Sequence, residues 1–155
     1  MLQRIGLLVA GAIIGLLAIG PWQSRSEAGT GPAMIRITDR EVEVTRIDVG
    51  APGTSPGDTE IVRQQLFDRR DTSKPIGHSE LVCTFVDSRR MRVCRGTYVL
   101  PKGKVVVGGT LSYRQFYDLA VLGGTGLFDN ARGSVTVTRT HTRPVRDFVV
   151  VRLVG

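Results

Sequence analysis

The chain has 155 residues, 41% of them hydrophobic, which suffices for one domain around one core. Its formal net charge of +7, from 21 Lys+Arg against 14 Asp+Glu, raises an acidic partner such as nucleic acid. The distribution argues against nucleic acid: Lys74, Lys102 and Lys104 are the only lysines, the arginines stand singly except at Arg69-Arg70 and Arg89-Arg90, and no aromatic platform lies between them.

The N-terminal segment has the layout of a secretory signal peptide: Arg4, then the uncharged run Ile5 to Gly20 (IGLLVAGAIIGLLAIG), Pro21, and small residues at Ser26 and Ala28. Cleavage after Ala28 gives an exported, secreted or otherwise extracytoplasmic chain. The alternative is an uncleaved anchor, because Ile5 to Ser24 is long enough to span a bilayer; no other membrane association is expected. The domains are then a signal peptide over 1–28, a lead-in over 29–40 and a β domain over 41–155.

The β domain alternates apolar and polar residues. Val42 and Val44 alternate with Glu41, Glu43 and Thr45, and the same period runs over 61–68, 81–86, 91–100, 104–113, 134–142 and 148–154. Turn chemistry separates these runs at GAPGTSPG (50–57), TSKPIG (72–77), Pro101-Lys102-Gly103 and Arg143-Pro144. The helical period is weak everywhere; the one place for a turn of helix is Tyr113 to Leu119. About eight short strands predict an all-β barrel or sandwich, and closure into a barrel leaves no exposed edge. A two-residue turn at Ser88-Arg89 sets Phe85 opposite Arg92 and Cys83 opposite Cys94, close enough for a disulfide in an oxidising compartment. The alternative is two small apolar residues in a reduced core.

The segment LAVLGGTGLFDNARGSVTV (119–137) has three glycines in four residues, Gly123, Gly124 and Gly126. It is not a phosphate cradle. Counted from Gly124 and Gly126, the third glycine position is Asp129; no P-loop Lys follows, and a strand resumes at Ser134 instead of a helix. These glycines serve turns or tight bends. His78 and His141 lack companions for a metal site, so none is expected. No Ser/His/Asp or Cys/His set has a supporting context.

DLAVLGGTGLFDNARG resembles the signature segment of the dirigent proteins and the related allene oxide cyclase barrels, matching at Gly123, Gly124, Thr125, Gly126, Phe128, Ala131 and Gly133 and keeping the Arg132 typical of dirigent members. LSYRQFYDLAV, GHSELVCTFVD and RGTYVLPKGKVVVGGTL are similar to that group's strands at the pattern level, so the resemblance spans about 40–153. It implies an eight-stranded antiparallel barrel, commonly a homotrimer, with a mostly apolar lumen and no cofactor. It also implies an apolar small-molecule ligand, steered through cyclisation or coupling as by an isomerase.

On the cyclase side, EVTRIDVGAP places Glu43 on the lumen Glu and Pro52 on the lumen Pro; Thr45 stands where an Asn is expected, Ala51 where a Ser is, and Cys83 on the lumen Cys. On the dirigent side, Asp48 matches an early Asp. Glu43, Asp48 and Tyr113 are thus the candidate catalytic residues. Thr45, Pro52, Cys83, Phe85, Tyr98, Phe128 and Arg132 are the candidate ligand contacts.

The residues alone leave other roles open. Glu43 is a surface acid if Val42 and Val44 face the lumen, and Asp48 is a loop cap. Tyr113 is a core residue beside Val107 and Leu111, Phe128 a barrel plug, and Arg132 a partner of Asp129 or of a turn carbonyl. A steering enzyme, a non-catalytic lipid or phenolic carrier, and a structural barrel filled by its own side chains all fit this pattern.

Overall fold

A computed structural model describes residues 33–154 other than Ser88. The segment read as a signal peptide or anchor lies outside the described residues. Eight strands follow one another: β1 (Ala33–Ile47), β2 (Thr59–Asp68), β3 (Pro75–Phe85), β4 (Arg92–Leu100), β5 (Gly103–Leu111), β6 (Phe116–Gly126), β7 (Arg132–Thr142) and β8 (Val145–Val154). Each pairs antiparallel with the next, and β1 pairs with β8 from Ala33↔Leu153 to Arg40↔Arg146, closing the barrel. Every interior strand edge is therefore occupied.

Two boundaries differ from the sequence reading. Residues 33–40, read as lead-in, form the part of β1 that pairs with β8. The stretch with a possible helical turn enters β6, where Leu119 and Val121 are buried and Phe116, Asp118 and Ala120 are exposed. Period two, not 3.6, governs it.

Alternation decides which side chains fill the lumen. One end, at the β1 start, is apolar: Ile37, Leu66, Val105, Val149 and Val151 are at most 2% exposed. Fully burying each such side chain contributes about 1.5–3 kcal/mol. The other end is where β1 stops and β2 begins, and its inward positions are largely polar. A bulge in β1 between Glu41 and Glu43 separates two registers, Glu41↔Gln64 and Glu43↔Arg63. One extra residue, Val42, exchanges the faces of everything beyond it.

The predicted hairpin register holds: Phe85↔Arg92, Thr84↔Val93 and Cys83↔Cys94 are partners. Cys83 and Cys94 form a disulfide with 4.0 Å between Cα atoms, and both are buried in the lumen. Reduction should lower stability by about 2–3 kcal/mol, the chain-entropy value for so short a loop; denaturant melts of the Cys83→Ala, Cys94→Ala pair against the parent check it.

The glycine-rich segment closes the apolar end. β6 runs to Gly126, which has φ 66°, and a tight turn carries the chain to Arg132. A Cβ on Gly124 would lie 2.3 Å from the Phe128 carbonyl oxygen and 2.5 Å from that of Lys104. The missing side chain lets the turn fold back onto the strands, and Phe128 packs against the core there. Gly124→Ala should cost about 2 kcal/mol through forced displacement of this turn, lowering Tm by several degrees. Calorimetry of Gly124→Ala and Phe128→Ala measures both.

Candidate functional site

The polar half of the lumen is built around Glu60, an inward residue of β2 that is 2% exposed. Its carboxylate accepts from Arg46 Nε at 3.1 Å and from Arg114 Nη2 at 2.7 Å, and Arg92 Nη1 lies 3.7 Å away. Arg46 closes β1, Arg92 opens β4 and Arg114 lies in the β5–β6 loop, so one carboxylate ties three parts of the wall across the lumen. Arg92 is buried, its guanidinium stands 5.6 Å from the Phe85 ring centroid, and its Nε has no hydrogen-bond partner among the described residues. Burial first, and the neighbouring positive charge of Arg114 second, push the Arg92 pKa down.

Two cavities meet here. The outer one, about 400 Å³, opens at the polar end between the 48–58 loop, the β3–β4 hairpin and the β5–β6 loop. Ile47, Asp48, Phe85 and Arg90 line it together with Arg92 and Arg114. The inner one, about 40 Å³, holds at most a water or two; Glu41, Gln64, Tyr117, Arg139 and Asp147 border it, again with Arg92 and Arg114. These two arginines therefore form the partition between mouth and lumen.

The mouth wall is held by Asp58, whose carboxylate accepts from Val49 N at 2.9 Å and Ser55 N at 2.7 Å. These two backbone hydrogen bonds, Val49's first, lower the Asp58 pKa. The loop is pinned to β3 by Gly57 N to Phe85 O and Phe85 N to Asp58 O, both 2.8 Å.

Below lies a second acid cluster. Asp39 of β1 and Asp147 of β8 are register partners, and Asp147 N donates to Asp39 Oδ1 at 3.2 Å. Asp147 is ion-paired with Arg139 at 2.9 Å. Among the described residues, Asp39 Oδ2 and the hydroxyl of fully buried Tyr98 have no partner. Burial, and then the Asp147 charge, push Asp39 up to about 8. Burial raises Glu41, and it raises Tyr117 far enough that its phenol keeps its proton. The inner cavity thus presents hydrogen-bond donors from Tyr117 and the arginines beside Glu41, whose carboxyl burial makes readier to take up a proton.

The candidates from sequence divide between sites. Asp48 and Phe85 line the mouth, Cys83 borders the inner cavity as a disulfide, and Tyr98 lies inside the barrel. Glu43 does not face the lumen. Beyond the Val42 bulge it points outward and meets Arg63 at 2.9 Å, half-exposed, with Thr45 beside it on the same outer face. Tyr113 is 76% exposed in the β5–β6 loop rather than packed, because the strand has already ended at Leu111. Pro52 is exposed on the 48–58 loop. Arg132 is exposed and donates to the carbonyls of Leu122 and Ala131, the turn-carbonyl role. Phe128 is at the opposite, apolar end.

Sequence reasoning missed Asp39, Glu41, Glu60, Arg92, Arg139 and Asp147. A signal existed: Asp39 continues the Ile35, Ile37 face, and Asp147 precedes Val149 and Val151 at spacing two.

The fold is the eight-stranded antiparallel barrel of the dirigent and cyclase type. Among solved structures, the chain is similar to pyocyanin demethylase, with TM-score 0.68 and 23% identity over 78% of this chain and 99% of that one. It is similar to the Diels-Alderase AbmU from Streptomyces koyangensis, with TM-score 0.64 and 17% identity over 83% of this chain and 66% of that one. It also resembles a pterocarpan synthase dirigent protein, with TM-score 0.64 and 11% identity over 81% of this chain and 96% of that one. At these identities the likeness is one of fold. No protein-family model matches the sequence, and no curated protein matches it.

Asp39 gives a pH test. An acid whose folded pKa is raised holds its proton in the folded state after the unfolded chain has lost it. Stability is therefore lost as pH rises from about 4 to about 8 and is level above that. Asp39→Asn should remove this slope and raise stability at pH 8 by a few kcal/mol, with little change at pH 4. Urea melts across that range check it.

Proposed function

We propose that the protein is a small-molecule barrel that takes its ligand through the polar-end mouth and steers a cyclisation or isomerisation of it. The carrying observation is the open cavity of about 400 Å³ set directly on buried Arg92 and its partner Arg114. That volume is within the range of small-molecule sites. Ile47 and Phe85 supply apolar contact for the ligand body. Confinement supplies orientation; Arg92 and Arg114 favour developing negative charge on a carbonyl or phenolic oxygen, Glu41 supplies proton exchange below, and the Tyr117 phenol, which keeps its proton, donates a hydrogen bond. Steering of cycloadditions by the Diels-Alderase with this fold supports the reading. Export is part of the proposal, supported by the signal-peptide layout and the disulfide. So is self-association through the outer wall of β3–β6, where Val82, Val93, Val106 and Leu122 are all exposed.

A carrier reading has one observation of its own. A cup of about 630 Å³ at the apolar end is lined by Ile35, Ile76, Leu100, Leu127, Phe128 and Leu153. Amide chemical-shift mapping with small planar aromatic probes separates the two. Shifts centred on Asp48, Phe85 and Arg92 are expected; shifts confined to Leu127, Phe128 and Leu153 would replace the steering reading with the carrier.

A further inference from the structure

We infer that the mouth selects an organic acid: an aromatic or unsaturated carboxylate whose anionic group sits between Arg92 and Arg114 and whose ring lies along Phe85. This rests on the mouth being the ligand site and adds the ligand's charge.

Three guanidiniums converge on Glu60 alone, and its oxygens are already occupied by Arg46 and Arg114. Arg92, with 7% side-chain exposure, is left at 3.7 Å, beyond hydrogen-bond range, and its Nε meets no acceptor among the described residues. A buried guanidinium without its hydrogen bonds is costly, and an incoming carboxylate supplies them in a planar, two-pronged geometry.

The other mouth carboxylates do not meet that need. Asp58 accepts from Val49 N, Ser55 N and Ser55 Oγ. Asp48 is an exposed residue on the mouth lining, and Arg90 lines the same cavity with opposite charge. On the lumen side, Asp147 is held by Arg139. Arg92 also lies over the Phe85 ring at 5.6 Å, so an apolar surface adjoins the cationic one. A neutral apolar ligand would cover Arg92 and leave it more desolvated, whereas an acid offsets that cost.

Isothermal titration calorimetry with 2-naphthoate and 2-naphthamide, alike in shape and different in charge, tests the inference. Naphthoate is expected to bind at least about ten-fold tighter, a difference of about 1.4 kcal/mol, and less tightly as salt rises. Arg92→Met should abolish the preference while leaving naphthamide binding in place. Arg114→Gln, at a half-exposed position where the amide can still donate to Glu60, should reduce it, with a thermal melt checking that the barrel stays folded. Equal binding of acid and amide overturns the acid selectivity and leaves the mouth as a ligand site. A preference that survives both substitutions overturns it as well, since the charge is then read elsewhere. Binding of neither probe overturns the mouth as the ligand site along with it.

Discussion

Glu60 is the side chain on which the lumen's arrangement depends. A closed barrel turns half of all strand residues inward, and in this chain several of those positions carry full charges. An uncompensated charge in that setting costs several kcal/mol. Glu60 compensates Arg46, Arg92 and Arg114 at once and so fixes the end of β1, the start of β4 and the β5–β6 loop relative to β2. The mouth has its shape because those three arms reach the same carboxylate. The same arrangement leaves one of them, Arg92, short of partners.

The two ends of the barrel are therefore different in kind. At one end, Phe128 is folded over Gly124 and the lumen beneath it is packed with Val, Leu and Ile. At the other, a mouth opens onto arginines, carboxyls and a buried phenol. Apolar packing fills one half of the barrel, and a polar, ion-paired layer faces the mouth at the other. Arg63 illustrates the contrast. It pairs with Glu43 and Glu80 on the outer wall, all about half-exposed, and such surface pairs contribute little to stability.

Much of the fold was legible in the sequence because its signals are local. Alternation and turn residues gave most of the strands, and the short hairpin at 86–91 set the Cys83–Cys94 register. The glycine cluster reads correctly as a turn, which the chain makes as β6 ends at Gly126. The site was less legible for two physical reasons. The Val42 bulge shifts the phase of β1 by one residue, and nothing in the local composition marks it, so Glu43 was placed on the inner face as one alternative when Asp39 and Glu41 are the inward acids. The other reason is that charged residues are usually outside. Glu60, Arg92 and Asp147 become tolerable inside only through partners on distant strands, such as Arg139 for Asp147 and Glu60 for Arg92. No single segment contains that information. Tyr113 failed for a simpler reason: the strand stops two residues before it.

Whether Glu60 organises the polar half of the lumen is decided by a double-mutant cycle between Glu60→Gln and Arg92→Met, read by urea unfolding. Glu60→Gln alone should cost about 3 kcal/mol, because Arg92 then stays buried without the carboxylate it faces. Adding Arg92→Met should recover at least about 1 kcal/mol of that loss, a coupling expected only of groups in one network. A Glu60→Gln protein as stable as the parent, with no coupling to Arg92, would show that Glu60 does not hold the polar half together.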